Sequence, residues 1–568
     1  MTSPTVWNML RLPALSFRDS LLLDIVCALT VHIIYNKYEF EPANIPATLL
    51  LLVGVPALPC YFLVLDLDST IRAIVLAYGL FYATLSISIV LYRISPVHPL
   101  AKYPGPLSLK ISKFVIMYHT SDGKQYVFFK KLHEKYGPFV RVGPNEVSIV
   151  DVEAIHPVLG IDGMRRGPLW IIHNRPGTSA NIVALRDVKQ HHERRKLWNR
   201  GFTTASLKEL QPAIENRVLE LVGELGKRVS LEFGEKGVPL DLAQWLANFT
   251  YDFMGDMVFG GGFDLMKNDS GGGIRKVVED NMKMVGTLEH TSWITGLLYK
   301  IAALSEEQKR FQEFGRQRYV KRKEQGAAKR DLFHYITNED GLEKTEVSDE
   351  QGVNEIFAAI VAGADTTSTV MSSVFFYLLT NPATFDRLWK EVHDEFPPSE
   401  GEPFDAVKLA AMPYLNAVIN EALRLQPPLP TSLQRCPLEG SGGKWVAGRF
   451  VPENAAVYIP AYVLHRDPRY FSPSPDSFIP ERWLDNNEAK GQKYSMNALT
   501  YIPFSFGPAN CVGKNLALME ARMVIATIVQ RFDIKLADGY DPQQWEEELK
   551  DYHVIRVGKL PVVLKARV

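Results

Sequence analysis

The chain has 568 residues, of which 46% are hydrophobic and 22% charged, so it is long enough to bury a large core and does not belong to the intrinsically disordered class. Its 63 Lys and Arg residues nearly balance 64 Asp and Glu residues, which argues against a general nucleic-acid binder, because that function needs a surplus of positive charge. Four cysteines are too few for a disulfide framework in a chain of this length.

Three apolar segments occupy the first hundred residues. Residues 45–65 contain no charge and residues 71–92 contain one, near their start, so each is long enough and apolar enough to form a transmembrane helix. Residues 21–35 are shorter and include Asp24, whose charge is costly at the centre of a bilayer. This first segment therefore either spans the membrane or lies at its surface.

The charges around the third segment predict its orientation. Asp66 and Asp68 precede it, whereas lysines and arginines follow it, so by the positive-inside rule the rest of the chain faces the cytosol. No small-residue cleavage site follows the first segment, so a removed signal peptide is not expected. We predict a membrane anchor over residues 1–100, with two or three transmembrane helices, and a globular domain over residues 101–568.

Amphipathic helical patterns dominate the globular domain. They cover residues 241–259, 350–379, 384–396, 413–425 and 515–532. Strand-like alternation is confined to residues 139–151, 444–458 and 560–566. The predicted fold class is therefore mainly α with small β-sheets.

Two glycine clusters and one glycosylation motif invite functional readings. The glycines at 260–262 and 271–273 do not follow a strand and open a helix, as a phosphate-binding loop would, so we predict helix caps and a flexible loop. Asn248 begins an Asn-Phe-Thr motif inside an amphipathic helix of a domain predicted to be cytosolic, so it is not expected to be glycosylated.

Residues 504–513, Phe-Ser-Phe-Gly-Pro-Ala-Asn-Cys-Val-Gly, carry the strongest chemical signal. Cys511 lies between Gly507 and Gly513 and directly precedes a helical pattern. Backbone N–H groups and the positive end of the helix dipole favour a thiolate at such a position, and Gly513 leaves room for a flat ligand. From this pattern alone, a thiolate ligand and an inert buried cysteine both remain open.

The run resembles the haem-ligand signature Phe-x-x-Gly-x-Arg-x-Cys-x-Gly of the cytochrome P450 family. Phe504, Gly507, Cys511 and Gly513 match it, which implies that Cys511 is the axial ligand of the iron of haem b. Ala509 stands where the family has an arginine that contacts a haem propionate. One propionate contact is therefore in question.

A second match lies in the middle of the longest predicted helix. Residues 362–367, Ala-Gly-Ala-Asp-Thr-Thr, resemble the oxygen-activation motif of the same family. The resemblance implies that Asp365 and Thr366 relay protons and that Ala362 and Gly363 lie against the haem. The small residues are equally typical of a close contact between two helices.

Glu421 and Arg424 lie one helical turn apart, a spacing that means little for an exposed pair. In the family this Glu-x-x-Arg pair is buried and meets an arginine of a later Pro-x-Arg segment, which is Arg482 here. The resemblance implies that the three side chains form a structural triad that holds the region of the cysteine.

Three basic residues correspond to haem-propionate contacts of the family. Residues 191–198 resemble its Trp-x-x-x-Arg helix, with His191 in place of the tryptophan and Arg195 in place of the arginine. Arg435 aligns with a further contact. The other basic residues of the run form either a solvated face or a docking surface for an acidic redox partner. Cys436 matches no ligand position and is predicted to be structural.

The resemblance runs from about residue 104 to the C-terminus and is typical of membrane-bound fungal members. It implies a monooxygenase that oxidises an apolar organic molecule, in secondary metabolism or in xenobiotic oxidation. NADPH would supply electrons through cytochrome P450 reductase, with cytochrome b5 as a further candidate partner. The expected location is the endoplasmic reticulum membrane, with the catalytic domain in the cytosol.

Two alternatives accompany this expectation. Some P450-fold enzymes are isomerases or dehydratases that use no external oxygen, but the Asp365 and Thr366 pair favours a monooxygenase. A membrane receptor or transporter built on the apolar segments is disfavoured because those segments contain no series of polar residues that would line a pathway. The substrate is not determined by the sequence beyond its largely apolar character.

Overall fold

The computed structural model describes residues 15–38, 44–173, 178–232, 238–268, 273–294, 306–326, 330–484, 488–489 and 492–567. Within these residues the chain forms a mainly helical domain with small sheets, preceded by apolar N-terminal helices. The predicted fold class is confirmed.

The apolar N-terminal segments fold as three helices, Phe17–Lys37, Ile45–Asp66 and Thr70–Ile94. The second and third are long and apolar enough to cross a membrane. The first packs against both of them, and its Asp24 is fully buried. The first segment is therefore part of the same helical bundle, although its composition is less apolar than that of its neighbours.

The helices of the globular domain agree with the sequence patterns to within two residues wherever a pattern was identified. Their bounds are Leu107–Ile111, Lys113–Thr120, Gln125–Tyr136, Ile155–Leu159, Val188–Gly201, Thr204–Glu232, Leu242–Phe259, Leu265–Asn268, Ile274–Leu288, Glu306–Gln325, Leu332–Ile336, Asp349–Thr380, Pro382–Glu395, Ala406–Ala411, Pro413–Leu425, Ala461–Leu464, Lys514–Arg531 and Gln543–Glu548.

The longest of these, Asp349–Thr380, is hereafter the central helix. Ser348 caps its N-terminus, and it packs against helix Leu242–Phe259 along the core. It is also long and apolar enough for a membrane span, but 72% of its most apolar stretch is buried inside the domain, so it is a core helix. A Cβ at Gly363 would collide with the sulfur of Met254, so this glycine allows the two helices to approach closely.

The strands are short and pair mostly as antiparallel ribbons. The largest sheet contains, in order, Phe139–Gly143, Glu146–Ile149, Ala456–Tyr458, Gln434–Cys436 and Arg165–Arg166; a second contains Phe532–Leu536, Pro561–Ala566 and Val238–Asp241. The remaining pairs are Gly443–Val446 with Arg449–Pro452, Lys550–Tyr552 with Val554–Arg556, Phe471–Ser472 with Ser495–Met496, and Glu488–Ala489 with Gln492–Lys493. The predicted strand regions 139–151 and 444–458 are thus each divided between separate short strands.

The glycine and glycosylation motifs have structural explanations. Gly260 ends helix Leu242–Phe259 in the left-handed conformation, with φ of 66°, which is the predicted cap. Asn248 is buried in that helix, so its side chain is not available for glycosylation in the folded protein. Residues 271 and 272 of the second glycine cluster lie outside the described residues.

Candidate active site

The cysteine loop, residues 504–513, brings Cys511 to the start of helix Lys514–Arg531. The loop closes where the Cys511 N–H donates to the Phe504 carbonyl at 2.9 Å. Gly507 adopts a φ of 71°, and a Cβ at this position would collide with the Leu159 carbonyl. Glycine is therefore required here by the backbone conformation and by close packing.

The surroundings of Cys511 shift the pKa of its thiol in opposite directions. Burial, the largest of them, raises the pKa of the thiol, whereas hydrogen bonds from the Gly513 and Lys514 N–H groups and the charge of Arg195 lower it. Cys511 nevertheless faces open space, because it is the one exposed cysteine of the four and it lines a cavity. A metal cation at the sulfur would shift this balance to the thiolate.

This cavity has a volume of about 1130 Å³. Nine of the predicted site residues line it, namely Cys511, Arg195, His191, Arg435, Phe504, Gly513, Ala362, Gly363 and Thr366. A Cβ at Gly513 would meet only the Phe202 ring at 3.6 Å and the Cys511 sulfur at 4.0 Å. Gly513 therefore keeps the space beside the sulfur open rather than relieving a clash.

Apart from the structural triad, two predicted site residues do not line the cavity. Gly507 packs against Leu159, as described above, and so shapes the cysteine loop instead of facing a ligand. Asp365 points away from the cavity and accepts a hydrogen bond from the Tyr251 hydroxyl at 2.7 Å. Burial raises the pKa of Asp365 to about 6, and this hydrogen bond opposes the rise. The predicted role of Asp365 and Thr366 in a proton relay stays a prediction, with Asp365 on the side of the helix that bonds Tyr251.

Thr366, in contrast, faces the cavity from the central helix. Its hydroxyl donates to the Ala362 carbonyl at 2.6 Å, one turn back along the helix. A threonine that bonds the preceding turn in this way keeps its oxygen at the cavity with a lone pair free to accept a further hydrogen bond.

Several basic side chains line the cavity, and four of them act electrostatically on one another; we call Arg166, His191, Arg195 and Arg435 the basic cluster. Burial lowers the pKa of Arg435 to about 10. Burial and the charges of Arg435 and Arg195 lower the pKa of Arg166 to about 9. Burial and the charges of Arg166, Arg195 and Arg435 lower the pKa of His191 to about 3, so the His191 imidazole is neutral at pH 7. The cluster is positively charged and suits an anionic ligand.

The members of the cluster are held by uncharged partners. Arg195 donates to the Asn510 carbonyl at 2.6 Å and to the Asn510 side-chain oxygen at 3.0 Å, which joins helix Val188–Gly201 to the cysteine loop. Arg435 donates to the Gln434 carbonyl at 3.1 Å. His191 Nε2 is buried and has no hydrogen-bond partner among the described residues. An acceptor that enters the cavity would satisfy it.

The sequence motifs did not identify Arg166. It lies in the two-residue strand Arg165–Arg166, which pairs with Gln434–Cys436 so that Arg166 is opposite Arg435. The two consecutive arginines are followed by Gly167 and Pro168, a pattern that is also typical of a surface turn. The local sequence therefore gave only a weak indication that Arg166 belongs to the site. Cys436, predicted to be structural, is buried in the same sheet and donates to the Arg166 carbonyl at 3.4 Å.

The predicted triad of Glu421, Arg424 and Arg482 forms. Glu421 and Arg424 make a bidentate pair with two distances of 2.8 Å, and both side chains are fully buried. Arg482 Nε donates to Glu421 Oε1 at 3.2 Å. Glu421 also accepts hydrogen bonds from the Trp483 indole at 2.9 Å and the Ile479 N–H at 2.9 Å.

The rest of the cavity wall is mainly apolar. It includes Ile172, Phe357, Val361, Leu429 and Val554. Polar and charged side chains also line the cavity, among them Asn181, Glu313 and Asp349, and the rings of His173 and His553 pack together with centroids 4.1 Å apart. Such a wall suits a largely apolar molecule.

A family model described as "Cytochrome P450" matches residues 104–559. Among curated proteins, the chain is similar to "Cytochrome P450 67" of Uromyces fabae, with 32% identity over 94% of this chain and 97% of that protein. It is also similar to "Cytochrome P450 monooxygenase FCK2" of Fusarium pseudograminearum, with 32% identity over 85% of each chain. A third relative, "Tryprostatin B 6-hydroxylase" of Neosartorya fischeri, is 30% identical over 84% of each chain.

Proposed function

The chain belongs to the cytochrome P450 family and is an oxidoreductase of the monooxygenase type, and on this premise we propose that it is a membrane-bound enzyme in which Cys511 ligates haem b. The observation that carries the proposal is the single cavity that both Cys511 and the basic cluster line. The Cys511 sulfur is a suitable ligand for the haem iron, and the unpaired cations of the basic cluster are suitable partners for the two haem carboxylates.

The residues around the cavity fit such a group. Cys511 supplies the sulfur, Gly513 leaves space beside it, and Arg195, Arg435 and His191 offer donors to carboxylates. When bound, the haem supplies the iron at which dioxygen is reduced and an oxygen atom is transferred to the substrate. The Gly513 and Lys514 N–H groups stabilise the thiolate, and hydrogen bonding and burial tune how strongly its sulfur donates.

We assign proton handling to the central helix. Thr366 holds its hydroxyl at the cavity, and Asp365, with a pKa near 6, holds or releases a proton close to neutral pH. Adjacent residues of a helix point about 100° apart, so Asp365 passes a proton to the cavity only after its carboxyl leaves the Tyr251 hydroxyl. Glu279, Arg275 and Arg556 act electrostatically on Asp365. These three charged side chains support a route for protons from the side of the central helix that faces away from the cavity.

The anchor and the electron supply complete the proposal. Residues 1–100 hold the protein in the endoplasmic reticulum membrane, and residues 101–568 form the haem domain on the cytosolic side. The helices Ile45–Asp66 and Thr70–Ile94 support this arrangement because both have the length and composition of membrane spans.

NADPH supplies electrons through cytochrome P450 reductase, and cytochrome b5 is a further candidate donor. The partner docks at the basic helix Val188–Gly201, whose outer face includes Lys189 and Lys196.

The substrate class we propose is a largely apolar organic molecule, and the pathway is secondary metabolism or xenobiotic oxidation. The apolar cavity wall supports the first part, and a relative named as a hydroxylase of an organic compound supports the second. The alternatives of an oxygen-independent isomerase or dehydratase, and of a receptor or transporter, have no specific support in the geometry.

The assignment of Cys511 is tested by spectroscopy of the purified full chain. We expect the reduced carbon-monoxide complex to show the strongly red-shifted band of thiolate ligation, and Cys511→Ala to lose it. Cys436→Ala is the matched control because Cys436 is buried outside the cavity, and it should keep the band. A band retained by Cys511→Ala would contradict the assignment. Product formation that needs neither NADPH nor oxygen would contradict the monooxygenase chemistry.

A further inference from the structure

Two histidines, His173 and His553, bring unused ring nitrogens to the cavity wall, and we call them the histidine pair. Their rings pack with centroids 4.1 Å apart. His173 Nε2 is buried without a hydrogen-bond partner, and His553 Nε2 has none either among the residues that the structure describes. Burial lowers the pKa of His173 well below its usual value and that of His553 to about 3, so both rings are neutral at pH 7.

Other polar side chains of the wall have partners of their own. The Asn181 oxygen accepts hydrogen bonds from two backbone N–H groups, and its amide donates to a backbone carbonyl. Glu313 pairs with Arg316 at 3.0 Å, and Asp349 pairs with Lys323. The histidine pair differs from these groups because its Nε2 atoms remain available to a ligand.

A buried carboxylate sets the tautomer of His553. Glu289 Oε2 lies 3.1 Å from His553 Nδ1, and Glu289 forms no ion pair with a lysine or arginine among the described residues. An ionised carboxylate only accepts hydrogen bonds, so the neutral ring carries its proton on Nδ1 and presents a lone pair at Nε2. Burial raises the pKa of Glu289 to about 7, and His290 and Gln125 oppose the rise. Above that pH, the partner that suits Nε2 is a hydrogen-bond donor.

Buried contacts hold the hairpin that carries His553, residues 550–556. His553 forms its turn with a φ of 74°, a left-handed conformation that is uncommon for any residue other than glycine. The neighbouring Asp551 accepts a hydrogen bond from the Thr431 hydroxyl at 2.7 Å, and Thr431 accepts one from the Gln125 amide at 2.8 Å. The ring of His553 is thus held at the cavity, and a histidine in an unfavourable backbone conformation points to a role for its imidazole.

We propose that the substrate carries an N–H or O–H group and that this group donates a hydrogen bond to His553 Nε2, beside the ring of His173. The inference rests on the proposed function, because it assigns a substrate class to the same cavity. A ligand without a donor would cover Nε2 and leave it unpaired, which is costly for a buried polar atom. The substrate is therefore a largely apolar molecule with at least one hydrogen-bond donor. His553 selects for that donor, and Glu289 positions the His553 ring.

Iron-binding probes of graded length test this before the substrate is known. 1-Alkylimidazoles bind a haem iron through their free ring nitrogen, and the alkyl chain can end in a methyl, a hydroxyl or a methyl ether group. The purified full-length protein is titrated with each series at a pH of about 8, above the pKa of Glu289, and the Kd is read from the shift of the Soret band. At one chain length the hydroxyl probe should bind about three- to tenfold more tightly than the methyl probe. The methyl ether, which only accepts hydrogen bonds, should gain nothing.

Three variants connect the preference to the histidine. His553→Gly removes the imidazole and suits the left-handed backbone, so the hairpin should fold and the preference for hydroxyl should disappear at every chain length. Glu289→Gln keeps His553 but offers an amide that donates as well as accepts, so the preference should fall. Glu313→Gln is the matched control, because it alters a cavity side chain that has its own partner, and it should keep the preference.

The outcomes separate this inference from the proposed function. Probes that shift the Soret band but show no hydroxyl preference at any length would overturn the inference, as would a preference that survives in His553→Gly. An equal gain by the methyl ether would overturn it too, because Nε2 would then be a donor. An unchanged preference in Glu289→Gln would refute the positioning role of Glu289. Probes that shift no Soret band in the wild type would instead refute the proposed function.

Discussion

Replacing Glu421 by glutamine removes the charge that joins three elements of the haem domain. The Glu421 carboxylate accepts two hydrogen bonds from Arg424 and one each from Arg482, Trp483 and the Ile479 N–H, all at 2.8 to 3.2 Å. Both arginine side chains are fully buried. A glutamine amide places donors against donors and leaves two buried guanidinium groups without a counter-charge.

The cost follows from this burial. Removing one partner of a buried ion pair typically destabilises a protein by about 3 to 5 kcal/mol, out of a total stability of about 5 to 15 kcal/mol. We expect Glu421→Gln to lower the free energy of unfolding by an amount in that range and to lose the thiolate band at lower denaturant concentration than the wild type. Urea unfolding of the detergent-solubilised chain, followed by circular dichroism and by the carbon-monoxide spectrum, measures both.

The matched control is Glu193→Gln. Glu193 pairs with Lys196 at 2.9 Å on the surface, where solvent and salt screen the interaction, so this pair contributes little to stability. If Glu421→Gln unfolded at the same urea concentration as Glu193→Gln, the buried pair would not stabilise the domain, and the reasoning would be wrong.

Two further predictions concern Asp365 and Gly507. Because the pKa of Asp365 is raised from 3.8 to about 6 in the folded protein, folding favours its protonated form, and its contribution to stability falls as pH rises from about 4 to about 6. Asp365→Asn should therefore gain up to about 3 kcal/mol on the wild type between pH 4 and pH 7 in urea unfolding; a difference that stays constant with pH would contradict the burial argument. Gly507→Ala should abolish the thiolate band because its Cβ collides with the Leu159 carbonyl, whereas Gly261→Ala, which meets nothing within 4 Å, should retain it.

The sequence allowed the helices and the cysteine loop to be predicted because their determinants are local. Helical periodicity placed the central helix to within one residue at each end, and the glycines around Cys511 marked a loop that only a few backbone conformations can form. The Glu421 triad was predicted through resemblance, since its third member, Arg482, is 58 residues from Arg424 and no local pattern joins them.

The orientation of Asp365 could not be predicted from helix geometry alone, because adjacent residues of the central helix, such as Ala362 and Gly363 or Thr366 and Thr367, both line the cavity. The sequence also did not reveal that the Asp365 carboxyl accepts a hydrogen bond from Tyr251, because Tyr251 lies 114 residues away along the chain. Arg166 was missed for the same reason: its meaning depends on Arg435, which only the strand pairing brings opposite it.

A single histidine explains how the triad acts on the cysteine loop. The Ile502 N–H donates to His465 Nε2 at 2.9 Å, so Nε2 carries no proton, and Nδ1–H donates to the Arg424 carbonyl at 3.1 Å. Burial and the charge of Arg424 lower the pKa of His465 to about 3, which keeps this tautomer neutral at pH 7. His465 therefore joins the backbone of helix Pro413–Leu425 to Ile502. Ile502 lies two residues before Phe504, and the Phe504 carbonyl accepts the hydrogen bond from the Cys511 N–H that closes the loop. We therefore expect a change at Glu421 that moves Arg424 to alter the cysteine loop through this imidazole.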